Sequence, residues 1–149
     1  MYTRILVPID GSEHAKQALS VACKLLDSKA STLYLLHVPE TLTYTTTLVW
    51  GIGAVNAEAT LAEREKAGEQ LLQQAAMSAR EQGVQQIEEI LTQGDPVKVI
   101  LDTAKSFDID TIVMGSRGLS DLGSVVIGSV SHKVSHLAQC SVVTVSTSP

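Results

Sequence analysis

Between Gly115 and Ser131 the chain reads GSRGLSDLGSVVIGSVS, with glycines at 115, 118, 123 and 128 and serines at 129 and 131. Glycines after an apolar strand let the backbone turn through positive φ and bring its N–H groups close to a ligand without a Cβ in the way. A helix starting near Gly128 would add unpaired amides and the positive end of its dipole, and the Ser129 and Ser131 hydroxyls could donate too. The guest that suits this stretch is an anion such as a phosphate, and Asp121 is the one acid within it. The competing reading is a plain Gly/Ser surface loop.

Other residues are candidates for chemistry. Asp10 closes the apolar run that begins the chain; its carboxylate can accept from an adenine amino group or a ribose hydroxyl, or form an Asx turn that feeds the next helix. His132 and His136 stand four apart, a metal-compatible spacing that lacks an apparent third ligand, so with Lys133 they read as a solvated helix face. Cys23 and Cys140 match neither a metal spacing nor CxxC and are expected as buried free thiols. The chain has no GxxxxGK[ST], and its first turn, PIDGSE, lacks GxGxxG, which disfavours Walker-type hydrolysis and nicotinamide chemistry. The SGGxDS loop of adenylate-forming enzymes is also missing. No His, Glu or Lys in these motifs is clearly placed to activate a water.

These residues must be delivered to one place by the elements around them. Residues 2–9 read as a strand, with Asp10-Gly11-Ser12 as a turn into a helix that Ser12 caps and that ends by residues 28–30. Residues 32–38 (TLYLLHV) lack polar alternation, which suits a strand covered on both faces. A long amphipathic helix is expected over 57–82, with Asn56 as N-cap and Gly83 as stop. The polar stretch 84–92 reads as a strand at a sheet edge. Asp95 as N-cap and Pro96 at the first helical position open another helix. A strand over 108–115, a helix over 128–138 and a strand over 141–146 complete βαβαβαβαβ. Such alternation predicts an α/β fold, a parallel sheet with helices on both faces, and a ligand crevice at the carboxyl ends of the strands. VPIDGS, HVPE and the glycine stretch all fall there.

The 149 residues fit one domain. With 44% hydrophobic but only 3% aromatic residues, Val, Ile, Leu and Ala must fill its interior. A net charge of −5 supplies no electrostatic reason to bind nucleic acid or an anionic membrane. The first apolar run is too short for a signal peptide, and no stretch approaches the roughly 18 apolar residues of a membrane span, so a cytoplasmic protein is expected.

Taken together, these residues resemble the universal stress proteins, specifically their ATP-binding subgroup, over essentially the full length. Gly115, Gly118, Gly128 and Ser129 reproduce the subgroup's Gly-x2-Gly-x9-Gly-(Ser/Thr) pattern without insertion, beside an ILVPIDGS opening and an LLHV second strand. The resemblance implies one doubly wound domain with a five-stranded parallel sheet in the order 3-2-1-4-5. It implies that Asp10 and the backbone at Val38 hold adenine, with Pro8 and Ile9 lining the pocket and Met114 and Gly115 flanking the ribose. Arg117, Gly118, Gly128, Ser129, Val130 and Ser131 would surround the phosphates of ATP, with Mg2+ or Mn2+ completing their neutralisation. One departure is AQCSVVTV, where Gln139 and Ser141 flank the cysteine in place of the prolines many relatives have.

The expected function is therefore an ATP-binding sensor or regulator of the stress response, with at most slow hydrolysis. The alternative is an adaptor or scaffold for a partner such as a transporter or metabolic enzyme, with nucleotide in a structural role. Residues 39–56 keep that alternative open, since this long connection holds Trp50 among exposed-looking apolar residues and reads as a lid, a partner surface or a disordered loop. The last strand carries no Pro or charge to guard its edge. Pairing of Val142 to Val145 with a second copy predicts a homodimer, with a tetramer through the Trp50 loop as a further assembly.

Overall fold

Apolar runs without polar alternation become the central strands. Ile5, Leu6 and Val7 in one strand, and Leu33, Leu35 and Leu36 in the next, are essentially inaccessible to solvent. The computed structural model describes residues 2–27, 29–39, 50, 60–117 and 128–146. In chain order the elements are β1 (Arg4–Pro8), α1 (Glu13–Leu25), β2 (Thr32–His37), α2 (Leu61–Glu81), β3 (Gln86–Leu91), α3 (Pro96–Ser106), β4 (Thr111–Gly115), α4 (Ser129–Leu137) and β5 (Ser141–Val145). The strands form one parallel sheet in the order β3-β2-β1-β4-β5, as the alternation and the resemblance imply.

Period-two alternation divides the core between the two faces of this sheet. Ile5, Val7, Leu33, Leu35 and Val113 pack with Ala15, Ala18 and Leu19 of α1 and with Leu71, Ala75 and Ala76 of α2. Leu6, Leu36, Ile112 and Met114 face the other way, against Val99 and Ile100 of α3 and Val134 of α4. The many alanines compensate for the scarcity of aromatics by letting α1 and α2 lie close to the strands.

Helix starts follow local chemistry. The Ser12 hydroxyl accepts the Ala15 N–H at 3.1 Å, and the Asp95 carboxylate accepts the Lys98 N–H at 3.0 Å with Pro96 opening the helix. The start of α2 corrects the sequence expectation: Thr60 is its N-cap, its hydroxyl accepting the Glu63 N–H at 3.2 Å, while Asn56 lies outside the described residues. Gly83, at φ +96°, ends α2 as expected. The polar strand β3 is at the sheet edge, where its exposed glutamates stay in water.

Strand boundaries also shift. β4 starts at Thr111 rather than 108, because Asp108 turns the chain at φ 51° and the Asp110 carboxylate accepts the Thr3 and Arg4 amides at 2.9 and 3.0 Å. Tyr2 makes only an isolated bridge to Leu26. Both cysteines are free thiols but half-buried rather than buried, and burial pushes the Cys23 thiol up to about 11. Trp50 is not an exposed loop residue: at 6% exposure it joins the α1/α2 side of the core. The rest of 40–59 lies outside the described residues, as do Gly118, Asp121 and Gly123.

Candidate functional site

The order of the sheet makes β1 its topological switch point: the chain moves from β1 to β2 on one side and later returns to β4 on the other. Loops leaving β1 and β4 therefore diverge and leave a crevice at their carboxyl ends. A cavity of about 290 Å³ lies there, close to the lower size of small-molecule pockets. Pro8, Ile9 and Asp10 come from the end of β1, Val38 from the end of β2, Met114, Gly115 and Arg117 from the end of β4, and Val130 and Ser131 from α4. Gly128 and Ser129 stand at the start of α4 beside the cavity without lining it, and Gly118 is outside the described residues.

At the β1 end, the chain turns through Gly11 at φ 86°, a conformation that favours glycine. Asp10 Oδ1 accepts the Ser12 N–H at 2.9 Å, so the Asx turn forms while the half-buried carboxylate still lines the cavity. The structural and ligand-binding readings of this residue are compatible, because a carboxylate has acceptor sites on both oxygens.

Gly115 has a different physical reason from the one the number of glycines suggests. Gly115 has no positive φ; a Cβ there would meet His14 Cβ at 2.5 Å and its carbonyl carbon at 2.8 Å, so glycine is needed for the close approach of α1 to β4. Gly128 is the N-cap of α4 at φ −75°, which any residue can adopt, and its N–H donates to the Ser116 carbonyl.

Beyond Gly128 the amides of Ser129, Val130 and Ser131 have no hydrogen-bond partner among the described residues, as expected of a helix start. The two serine hydroxyls differ. Ser129 is exposed, whereas Ser131 is 3% exposed and donates to the Gly115 carbonyl at 2.6 Å. Its proton is thus committed to fastening α4 onto β4, which corrects the expectation that both hydroxyls are available as donors.

The family model described as "Universal stress protein family" matches residues 1–146. The chain belongs to that family. The Bacillus subtilis universal stress protein YxiE is 39% identical over 148 residues, covering 97% of this chain and 99% of its own. Among solved structures, that of the hypothetical protein MJ0577 matches with a TM-score of 0.77 at 25% identity, over 100% of this chain and 99% of the other. A universal stress protein crystallised in complex with cAMP matches with a TM-score of 0.72 at 24% identity, over 99% of each chain.

In this universal stress protein a fourth wall was not anticipated from sequence. Gly94, Pro96 and Ile100, from the β3–α3 turn and the first turns of α3, also line the cavity. The signal was present in Gly94-Asp95-Pro96, which lies at the carboxyl end of a strand like the other three turns. Its strong helix-start chemistry explained it fully without a ligand. The second missed residue is His37, the histidine of the LLHV strand. It is 0% exposed, its Nδ1 lies 2.6 Å from the Ile9 carbonyl oxygen, and burial lowers its pKa below the usual 6.5, against smaller opposing contributions from that hydrogen bond and Asp10. His132 and His136 are both exposed with rings 4.8 Å apart, and no group of three or more His, Cys, Asp or Glu suited to a metal occurs among the described residues. No helix among the described residues is long and apolar enough to cross a membrane.

Proposed function

We propose that this cavity binds an adenine nucleotide, ATP in particular, and that the protein is a nucleotide-dependent sensor or regulator in the stress response. The observation that carries this reading is an apolar cavity lined by Asp10 and Arg117, with the open amides at the start of α4 beside it. Apolar walls suit a flat base, the carboxylate suits hydroxyl or amino donors, and a helix N-terminus with a cation suits phosphates. Complexes such as the cAMP-bound fold neighbour agree with an adenine ligand. Asp10 and Val38 would hold the base, Pro8, Ile9, Met114 and Gly115 would flank base and ribose, and Arg117, Gly118, Gly128, Ser129, Val130 and Ser131 would surround the phosphates. The described residues offer no carboxylate cluster for a cation, so Mg2+ or Mn2+ would be held chiefly by phosphate oxygens.

Two measurements test this reading. Protein purified without added ligand is denatured and the released nucleotide identified by mass spectrometry; calorimetry then compares wild type with Gly128→Val for Mg-ATP. The Gly128 backbone admits valine, so a loss of binding reports obstruction at the start of α4. Co-purified adenine nucleotide, or binding weakened at least about tenfold by the substitution, is the expected result. Absence of binding by wild type to ATP, AMP and cAMP overturns the proposal.

The same protein is proposed to act as a homodimer. β5 is the terminal strand of the sheet, its valines are half-buried, and its outer edge has no neighbouring strand among the described elements. Pairing with a second copy would satisfy that edge. Val143→Lys is expected to give monomers in sedimentation, and an unchanged dimer would exclude β5 as the interface.

A further inference from the structure

The hydrogen bonds at the end of β1 leave one backbone donor open toward the cavity. Ile9 N–H donates to the Leu36 carbonyl at 2.7 Å, continuing the β1–β2 ladder one step beyond the Pro8–Leu36 pair. A parallel ladder that gives this bond would next have the Val38 N–H donate to the Ile9 carbonyl. That bond is not made. The Ile9 oxygen is taken by His37 Nδ1 at 2.6 Å, and the Val38 amide has no hydrogen-bond partner among the described residues. Val38 is half-buried and lines the cavity, and alternation along β2 puts its N–H on the β1 side, since the intervening His37 carbonyl accepts from Thr92 of the β3 side.

The imidazole has little freedom to do otherwise. A carbonyl can only accept, so Nδ1 carries the proton and Nε2 is the bare nitrogen, buried with no hydrogen-bond partner among the described residues. Gly68 of α2 lies against the other side of the ring; a Cβ there would meet His37 Cδ2 at 2.5 Å and Nε2 at 3.0 Å. Glycine at 68 thus makes room for the ring, and a half-buried backbone donor that no described residue pairs, beside a cavity, suits an acceptor on a ligand.

We propose that His37 is a positioning and specificity-determining residue: by taking the Ile9 carbonyl, it leaves the Val38 N–H open to an acceptor on the base, and thereby selects adenine over guanine. This inference rests on the adenine-nucleotide reading above. Adenine presents an unprotonated ring nitrogen beside its amino group, which an N–H can satisfy. Guanine presents a protonated nitrogen at the same place, so two donors would face each other. Replacing the imidazole with an apolar side chain lets the ladder close onto Val38 and removes the donor from the cavity.

The test uses wild type, His37→Leu and His37→Asn, whose side-chain amide can still donate to the Ile9 oxygen. Amide hydrogen exchange without nucleotide is measured first. In His37→Leu the Val38 amide is expected to slow at least about tenfold as it pairs with Ile9, while His37→Asn leaves it near wild type. A wild-type Val38 amide already as protected as the paired Ile9 amide, or one unchanged in His37→Leu, overturns the arrangement. Calorimetry with ATP and GTP follows. His37→Leu is expected to weaken ATP about tenfold, leave GTP nearly unchanged and so shrink the preference, with His37→Asn restoring most of it.

Wild-type affinity and preference in a folded His37→Leu, or an equal loss in a folded His37→Asn, refutes the role of this bond. Should His37→Leu fail to fold, wild type and His37→Asn carry the test: ATP, and not GTP, must slow Val38 exchange in both. A wild type that binds neither nucleotide overturns adenine selection together with the reading beneath it. The ligand-free exchange data then decide separately whether His37 frees the amide.

Discussion

Replacing Gly115 by alanine is a demanding test of how α1 and β4 are held together. The added Cβ would lie 2.5 Å from His14 Cβ, 2.8 Å from the His14 carbonyl carbon and 3.0 Å from its oxygen. Carbon atoms rest at about 3.5–4.0 Å, so the first turn of α1 must retreat by about 1 Å, and no side-chain rotation can absorb a clash with backbone. Ala15, Ala18, Leu19 and Ala22 ride on the same helix and are all buried, so the retreat loosens their packing against β1 and β4. Overpacking of this kind costs about 1–3 kcal/mol, against a gain of about 0.4–1 kcal/mol from the less flexible unfolded chain. A net loss of about 1–2 kcal/mol is expected. With a urea dependence of roughly 2 kcal/mol per molar, the unfolding midpoint should fall by about 0.5–1 M with little change in slope. A midpoint that stays or rises, with the slope unchanged, would refute the close-approach explanation for this glycine.

Two other perturbations follow from the same contacts. His37 is buried neutral, so its folded-state pKa lies below 6.5; between those values the unfolded chain binds a proton that the folded chain does not. Stability should therefore fall as pH drops below about 6.5, by at most about 1.4 kcal/mol per pH unit from this group, and urea midpoints from pH 7.5 to 5 should decline less steeply in His37→Asn. Equal slopes in the two proteins would show that His37 does not titrate this way. Asp95→Ala removes the acceptor for the Lys98 amide and should cost about 1 kcal/mol in urea unfolding; a loss below about 0.3 kcal/mol would mean the cap is dispensable.

Family membership, the alternation of strands and helices, and the grouping of the β1, β2 and β4 ends were legible from sequence because each is written in local patterns. Unalternating apolar runs mark strands covered on both faces, Ser12 and Asp95-Pro96 mark helix starts, and the spacing of Gly115, Gly118, Gly128 and Ser129 is a motif in one dimension. Boundaries were less legible. Asn56 and Thr60 are both acceptable caps, and only where the chain turns decides that Thr60 serves. Trp50 reads as an exposed loop residue until the fold supplies a core for it.

The sequence by itself determined which residue types could meet a nucleotide, since those types and spacings are covalent facts. Only the tertiary structure decided how their bonding capacity is allocated, because each donor and acceptor is assigned by what lies across from it in space. Ser131 reads as a phosphate donor, yet its proton is held by Gly115; Gly115 reads as a turn that brings backbone close to a ligand, yet it is a contact surface for His14. His37 reads as an ordinary strand residue, yet it occupies the carbonyl that Val38 would otherwise take. Such assignments couple residues 16, 101 and 28 positions apart, and no local pattern carries them.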